Sequence, residues 1–111
     1  MLRVPLQDTD QDDEDRVTYR GERFTGVTVE TYRDGSLLTE THYTDGVEDG
    51  PERQFRPDGS LEEETIYDFG LPAIERKWHP NGQLAYEAHL RQGSLVSEQW
   101  WDEDGNPIPA P

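Results

Sequence analysis

The chain contains no cysteine, which excludes disulfide staples, thiolate nucleophiles and cysteine-ligated metals. Cations are scarce: 10 Lys and Arg stand against 25 Asp and Glu, a formal net charge of −15 over 111 residues. A surface this acidic repels nucleic acid and anionic membranes and attracts basic proteins. Apolar residues reach only 31%, little for a two-layer core of ordinary size. A repeat array needs less, because each unit packs only on its neighbours. No run approaches the ~20 apolar residues of a membrane helix. The N-terminus has one Arg3 and no apolar run, so a signal peptide is not expected and a cytoplasmic protein is. No apolar stripe of period 3.6 is present, so helices are not expected.

What the chain does have is a recurring stretch, Phe55-Arg56-Pro57-Asp58-Gly59-Ser60-Leu61 followed by Glu64. It returns as Trp78-His79-Pro80-Asn81-Gly82-Gln83-Leu84 with Glu87, and upstream as Thr31-Tyr32-Arg33-Asp34-Gly35-Ser36-Leu37 with Glu40. A last partial copy is Trp101-Asp102-Glu103-Asp104-Gly105-Asn106. Gly35, Gly59, Gly82 and Gly105 are spaced by 24, 23 and 23 residues, the signature of stacked repeat units.

Each copy reads as a tight hairpin. Proline presets φ at the second turn position, Asp or Asn suits the third, and glycine supplies the left-handed residue that follows. With Pro57-Asp58-Gly59 as the loop, Arg56 faces Ser60 and Phe55 faces Leu61. Plain alternation then pairs Gln54 with Glu62, Arg53 with Glu63 and Glu52 with Glu64. The same rule pairs Trp78 with Leu84, Arg76 with Tyr86, Glu75 with Glu87, Thr31 with Leu37, and Thr28 with Glu40.

Residues 1–15 carry Asp8, Asp10, Asp12, Asp13, Glu14 and Asp15 without periodicity, and read as an acidic flexible arm. The alternating aspartates lack the glycine and closing glutamate of a calcium loop. Residues 16–111 read as one β-hairpin repeat domain, with units at about 19–42, 43–66, 67–89 and 90–108. Strands are expected at 51–56, 60–67, 73–79, 83–90 and 95–102, with a second kind of turn from Tyr43 to near Gly50 and a loop at 68–72. The fold class predicted is all-β: a single-layer or gently curled antiparallel meander of seven or eight strands.

Alternation separates two faces. One carries Val27, Val29, Leu37, Tyr43, Phe55, Leu61, Tyr67, Ile74, Trp78, Leu84, Tyr86, Ala88, Leu90 and Trp101, with Arg53 and Arg76. The other carries Glu30, Glu40, Glu52, Glu62, Glu64, Glu75, Glu87, Glu98 and Asp102, with Arg56 and Lys77. Like charges directly opposite one another destabilise a sheet. A glutamate ladder therefore points to a partner-binding use, with Glu40, Glu52, Glu62, Glu64, Glu75 and Glu87 as contacts for a basic protein. The plainer alternative is that both strands need polar outward residues. Trp100 falls on the acidic face, as an interface anchor or as cover for the last strand edge. The apolar face is the rival docking or dimerisation surface, with Phe55 and Trp78 as anchors.

Tyr-x-x-Gly, then an aromatic, then Pro-Asp/Asn-Gly-x-Leu-x-x-Glu resembles the MORN-repeat variant of bacteria. Tyr43 to Gly46, Phe55 to Leu61 with Glu64, and Trp78 to Leu84 with Glu87 carry the resemblance, which runs from Tyr19 to about Ile108. Thr31 departs from it where an aromatic is expected, Leu90 where a tyrosine is, and Ala73 where a glycine is. The resemblance implies a β-hairpin array and a protein-binding role, as in the YwqK-type antitoxins that are immunity partners of bacterial toxins. It implies no catalytic residues.

The chain offers little for catalysis. His42 and His89 occupy equivalent repeat positions and His79 a turn shoulder, so a zinc site is not expected. A Glu52–Glu64 pair could imitate a glycosidase dyad, but a flat sheet gives it no cleft. Neither an enzyme nor a cofactor is expected. The expected partner is a basic protein such as a cognate toxin, with a self-associating scaffold as the alternative.

Overall fold

The computed structural model describes all 111 residues. Two kinds of reversal alternate along the chain and generate the fold. The first is the two-residue turn at Arg20-Gly21, Asp45-Gly46, Phe69-Gly70 and Gln92-Gly93, where both residues have positive φ. That is the turn whose twist matches a hairpin, and it favours glycine at the second position. The second is the repeated motif itself. Arg56 N–H donates to Ser60 O at 2.8 Å, and Gly59 N–H to Arg56 O at 2.9 Å. Asp58 Oδ1 accepts from Ser60 N–H at 2.8 Å, and Gly59 has φ 90°. The same backbone closure recurs at Tyr32–Ser36, His79–Gln83 and Asp102–Asn106.

Between these turns run β1 (Arg3–Pro5), β2 (Asp10–Gln11), β3 (Val17–Tyr19), β4 (Glu22–Arg23), β5 (Gly26–Thr31), β6 (Leu37–Thr44), β7 (Val47–Phe55), β8 (Leu61–Asp68), β9 (Leu71–Trp78), β10 (Leu84–Arg91), β11 (Ser94–Trp101) and β12 (Pro107–Ile108). Nine of them form one open sheet in the order β1-β5-β6-β7-β8-β9-β10-β11-β12, and β2-β3-β4 form a small second sheet. Every neighbour in the large sheet is antiparallel except β1, which lies parallel to β5. The meander is as the turn chemistry predicts, with more strands than the seven or eight expected. The second turn closes at Asp45-Gly46 rather than near Gly50, and β7 starts at Val47.

Residues 1–15 carry more structure than their composition suggests. Val4 on β1 is 4% exposed and packs with Val17, Phe24 and Tyr43 in the one compact apolar cluster. Phe24 and Tyr43 meet edge-to-face, 6.0 Å between ring centres. Asp12 to Arg16 close a further copy of the repeat turn, with Asp12 N–H to Arg16 O at 2.9 Å and Asp15, φ 62°, in the glycine's place. The glycine periodicity hides this copy because no glycine is there.

The register departs from plain alternation in one recurring way. Phe55 faces Leu61, but Gln54 then faces Glu63, Arg53 faces Glu64 and Glu52 faces Thr65. Thr31 faces Leu37 and Glu30 faces Thr39; Trp78 faces Leu84 and Lys77 faces Tyr86. One extra residue, Leu38, Glu62 or Ala85, bulges just after each turn. A bulge shifts everything beyond it to the other face. The expected opposition of Glu52 with Glu64 and of Glu75 with Glu87 is therefore replaced: Glu64 faces Arg53, and Glu87 faces Arg76.

Candidate functional site: an unneutralised acidic face

The bulges sort the glutamates into two chemically different sets. On one face a row of charges of alternating sign crosses the sheet. Arg3 Nη1 lies 2.6 Å from Glu40 Oε2, and Glu40 Oε1 lies 3.4 Å from Arg53 Nη1. Arg53 Nε is 2.8 Å from Glu64 Oε2, Glu64 Oε1 is 3.2 Å from Arg76 Nη1, and Arg76 Nε is 2.8 Å from Glu87 Oε2. His89 Nε2 closes the row 2.9 Å from Glu87 Oε1. Burial pushes the Glu40 carboxyl up, but the hydrogen bond and charge of Arg3 outweigh it and hold it below its ordinary value. The hydrogen bond from Arg76 holds Glu87 low as well, and Glu87 in turn holds the Arg76 guanidinium high.

The other face is built from two adjacent rows. One runs Thr28, Thr41, Glu52, Thr65, Glu75, Ala88 and Glu98; the next runs Glu30, Thr39, Gln54, Glu63, Lys77, Tyr86 and Trp100. Glu48 joins them opposite Tyr43. None of Glu30, Glu48, Glu52, Glu63, Glu75 and Glu98 lies within ion-pair distance of a cation, whereas each ladder glutamate does. Lys77 is the one cation in these rows, and its ammonium sits 5.8 Å from the centre of the Tyr86 ring.

What these carboxylates have instead are hydroxyls and aromatic rings. Thr41 Oγ1 donates to Glu52 at 3.3 Å, Thr39 Oγ1 to Glu30 at 2.9 Å, and Tyr86 Oη to Glu98 at 2.8 Å. Burial, then the neighbouring Glu48, pushes the Glu52 carboxyl above its ordinary value. Burial, then the Glu52 and Glu48 charges, pushes the Tyr67 hydroxyl up to about 12. Burial and the bond to Glu98 do the same to Tyr86, again to about 12. A depression of about 300 Å³ lies here, lined by Glu30, Thr41, Glu52, Gln54 and Glu63, with Leu6 and Arg53 also in its wall.

The residues singled out from the sequence divide accordingly. Glu52 and Glu75 lie together on the unneutralised face. Glu40, Glu64 and Glu87 lie on the opposite face inside the ladder, because the bulge turns them there. Glu62 is itself the bulged residue, accepting from Gln54 Nε2 at 3.1 Å with Arg56 Nε at 3.5 Å. Trp100 is half-buried, with its ring 4.3 Å from Tyr86, and its Nε1 has no acceptor. Phe55 and Trp78 line the ladder face one row toward the turns, both half-buried. Alternation overlooks Glu63, which it assigns to the apolar face. In three of the units the residue three before the turn glycine clamps one unit to the next. Tyr32 Oη donates to Phe55 O at 2.7 Å, Arg56 Nη2 to Trp78 O at 2.6 Å, and His79 Nε2 to Trp101 O at 2.8 Å.

The family model of the MORN repeat variant matches this chain twice, over residues 48–68 and 72–92. These two stretches are β7–β8 and β9–β10, the units with the full turn motif. No curated protein matches. Among solved structures, a crystal structure of accessory secretory protein 1, 2 and 3 in Streptococcus pneumoniae is similar at 20% identity and a TM-score of 0.40. The match covers 92% of this chain and 20% of that one, so this chain spans about a fifth of that neighbour's length.

Proposed function

We propose that this chain is an immunity protein of the antitoxin kind: a repeat-based protein-binding module that holds a basic toxin against its acidic sheet face. The observation that carries the reading is the contrast between the faces. The same chain neutralises Glu40, Glu64 and Glu87 with arginines placed opposite them. It leaves Glu30, Glu48, Glu52, Glu63, Glu75 and Glu98 without cations, at the cost of a Glu52 carboxyl pushed up by burial and by Glu48. Arginines from a partner would complete on this face what Arg53 and Arg76 complete on the other. The matched MORN-variant repeats support a protein-binding role of this general kind.

The test is co-expression of the chain with the product of the gene beside its own, scored by cell survival and by co-purification. Protection should survive Glu40→Gln and fail in Glu52→Lys/Glu75→Lys. Protection that survives the double lysine variant and fails in a folded Trp78→Ser variant would move the interface to the ladder face. A neighbouring product that is neither toxic nor bound would remove the antitoxin reading and favour a self-associating scaffold, with Phe55, Leu61, Trp78 and Leu84 as its contact row.

A further inference from the structure

Three long hairpins close on the repeat turn: β5–β6, β7–β8 and β9–β10. In the first two the far end is closed as well, by the two-residue turn that follows. Gly46 N–H donates to Phe24 O at 2.7 Å and Asp45 N–H to Thr25 Oγ1 at 2.9 Å, which ties the Asp45-Gly46 turn back across the mouth of β5–β6. Gly70 N–H donates to Glu48 O at 2.6 Å and Phe69 N–H to Asp49 Oδ1 at 3.0 Å, which closes β7–β8 in the same way. The Gln92-Gly93 turn makes neither bond to β9. Ala73 stands where Asp49 does, three residues past the turn glycine, and its side chain offers no acceptor.

The mouth of β9–β10 is looser in other ways too. The ladder of β5–β6 runs to Gly26–Tyr43 and that of β7–β8 to Gly50–Tyr67, but that of β9–β10 ends one pair earlier, at Ile74–His89. Leu90 takes the place of Tyr43 and Tyr67. A methyl group built on Gly70 would lie 3.1 Å from Val47 Cγ1, whereas one on Gly93 would lie 3.9 Å from Cδ2 of Leu71, the counterpart of Val47. A cleft of about 230 Å³ opens here, with Leu71, Pro72 and Ala73 on one side and Leu90, Arg91 and Gln92 on the other. The side-chain ties across β9 and β10 lie toward the opposite end. Arg76 Nε is 2.8 Å from Glu87 Oε2, and the Lys77 ammonium is 5.8 Å from the Tyr86 ring centre. Beyond them the repeat turn itself is closed by His79 N–H to Gln83 O at 2.8 Å.

We infer that the seam between β9 and β10 is a hinge: the two strands stay joined at the Pro80-Asn81-Gly82 turn and part at the Leu71–Leu90 end, so that β10–β11 swings against β5–β9. Local opening occurs where bonds and buried contacts are fewest. The motion divides the acidic rows. Glu52 and Glu75 stay on one body, while Glu98 moves with the other, as Trp100 does relative to Lys77. The curvature of that face is therefore adjustable at this seam and held at the two hairpins before it. The hinge concerns the shape of the face and holds whatever the face binds.

Amide hydrogen exchange of the full chain, read residue by residue by NMR, tests it without a partner. The ladder amides nearest Ile74 and His89 should exchange roughly tenfold faster than their counterparts nearest Glu52 and Ile66, about the effect of one lost hydrogen bond. Ala73→Asp restores the missing acceptor. The Gln92 amide should become protected, and the Ile74–His89 end should slow toward the rate of β7–β8. Asp49→Ala is the converse, and should speed exchange near Glu52 and Ile66 while leaving Ile74 and His89 as they are. Equal rates at the two ends in the parent chain overturn the hinge. So does an Ala73→Asp variant whose Gln92 amide is protected while the ladder still exchanges at the parent rate. Should Ala73→Asp misfold or leave Gln92 unprotected, Asp49→Ala decides alone. Faster exchange confined to the β7–β8 end upholds the hinge; no change, or a change spread over the whole sheet, overturns it. None of these readouts involves a partner, so loss of the hinge leaves the antitoxin reading untouched.

Discussion

Arg53 reaches Glu64 across β7 and β8, with 2.8 Å between Nε and Oε2, although plain alternation from the turn would put them on opposite faces of the sheet. The bulge at Glu62 makes the contact possible. Glu64 is the midpoint of the ladder, since Arg76 holds its other oxygen at 3.2 Å. Its side chain is only 10% exposed, so it is screened less than an ordinary surface pair. Replacing Glu64 with Gln removes one charge and leaves two guanidinium groups facing each other. The expected loss is about 1–2 kcal/mol, above the 0.2–1 kcal/mol typical of an exposed pair. Chemical denaturation of Glu64→Gln, Arg53→Gln and the double variant checks it: the losses should be less than additive. Losses that add fully would show that the row stores no coupling.

The two faces should respond oppositely to acid. Glu40 and Glu87 have folded pKa values below their ordinary 4.5. Their contribution is present above that value and is lost as pH falls through the depressed folded values. Glu52 has a folded pKa raised above 4.5, so its ionised form opposes folding at neutral pH and ceases to do so once the group is protonated in both states. Glu52→Gln should therefore raise the melting temperature at pH 7 and leave it unchanged near pH 3. Glu87→Gln should lower it at pH 7, with the difference closing in acid. Melting curves over that range decide it. A Glu52→Gln variant that is less stable at pH 7 would mean the hydrogen bond from Thr41 outweighs the burial and the repulsion.

At Gly59 and Gly82 the requirement is conformational and nothing else. Their φ values are 90° and 89°, and a methyl group built on either would meet no atom within 4 Å. Gly82→Ala should cost about 1–2 kcal/mol, the left-handed penalty alone. Gly82→Asn should cost less, because Asn tolerates that region better. Equal stability of all three forms would show that the turn relaxes to another type.

The fold was legible to the extent that local chemistry decides it. Pro-Asp-Gly and Pro-Asn-Gly announce the turns, and a 23-residue period announces stacking. Phe55 opposite Leu61 and Trp78 opposite Leu84 follow from the turn alone. The facing of the glutamates was not legible, since one unpaired residue after each turn reverses everything beyond it. Leu38, Glu62 and Ala85 share no side-chain chemistry that would mark them as bulges. The cross-strand chemistry does hold a trace: plain alternation sets Arg76 opposite Tyr86, and only a register slipped by one sets it opposite Glu87, while Arg53 meets a glutamate in either register. The N-terminal turn was hidden for a different reason, because Asp15 adopts φ 62° where the other copies use glycine. Val4, set among exposed neighbours, gives no periodic signal of the burial it finds against Val17, Phe24 and Tyr43.

The last prediction separates affinity from long-range attraction. With six unpaired carboxylates on one face and a net charge of −15, encounter with a basic partner is steered by field. Exposed charges are screened beyond about 8–10 Å at 0.1–0.15 M salt, so the association rate should fall steeply as salt rises, while dissociation changes little. Charge count alone would make every carboxylate equal in this respect. The ladder makes them unequal, because Glu40, Glu64 and Glu87 already face Arg3, Arg53 and Arg76 and present little net field. Neutralising Glu30, Glu52 and Glu75 to Gln should therefore slow association and flatten its salt dependence, with folding intact. Neutralising Glu40 and Glu87 should instead lower stability and leave the salt slope nearly as it was. Stopped-flow or surface-capture kinetics against a cationic protein, at 50 and 200 mM salt, read both quantities. If the two variant sets flatten the slope equally, net charge rather than its placement governs binding, and the acidic face has no privileged role.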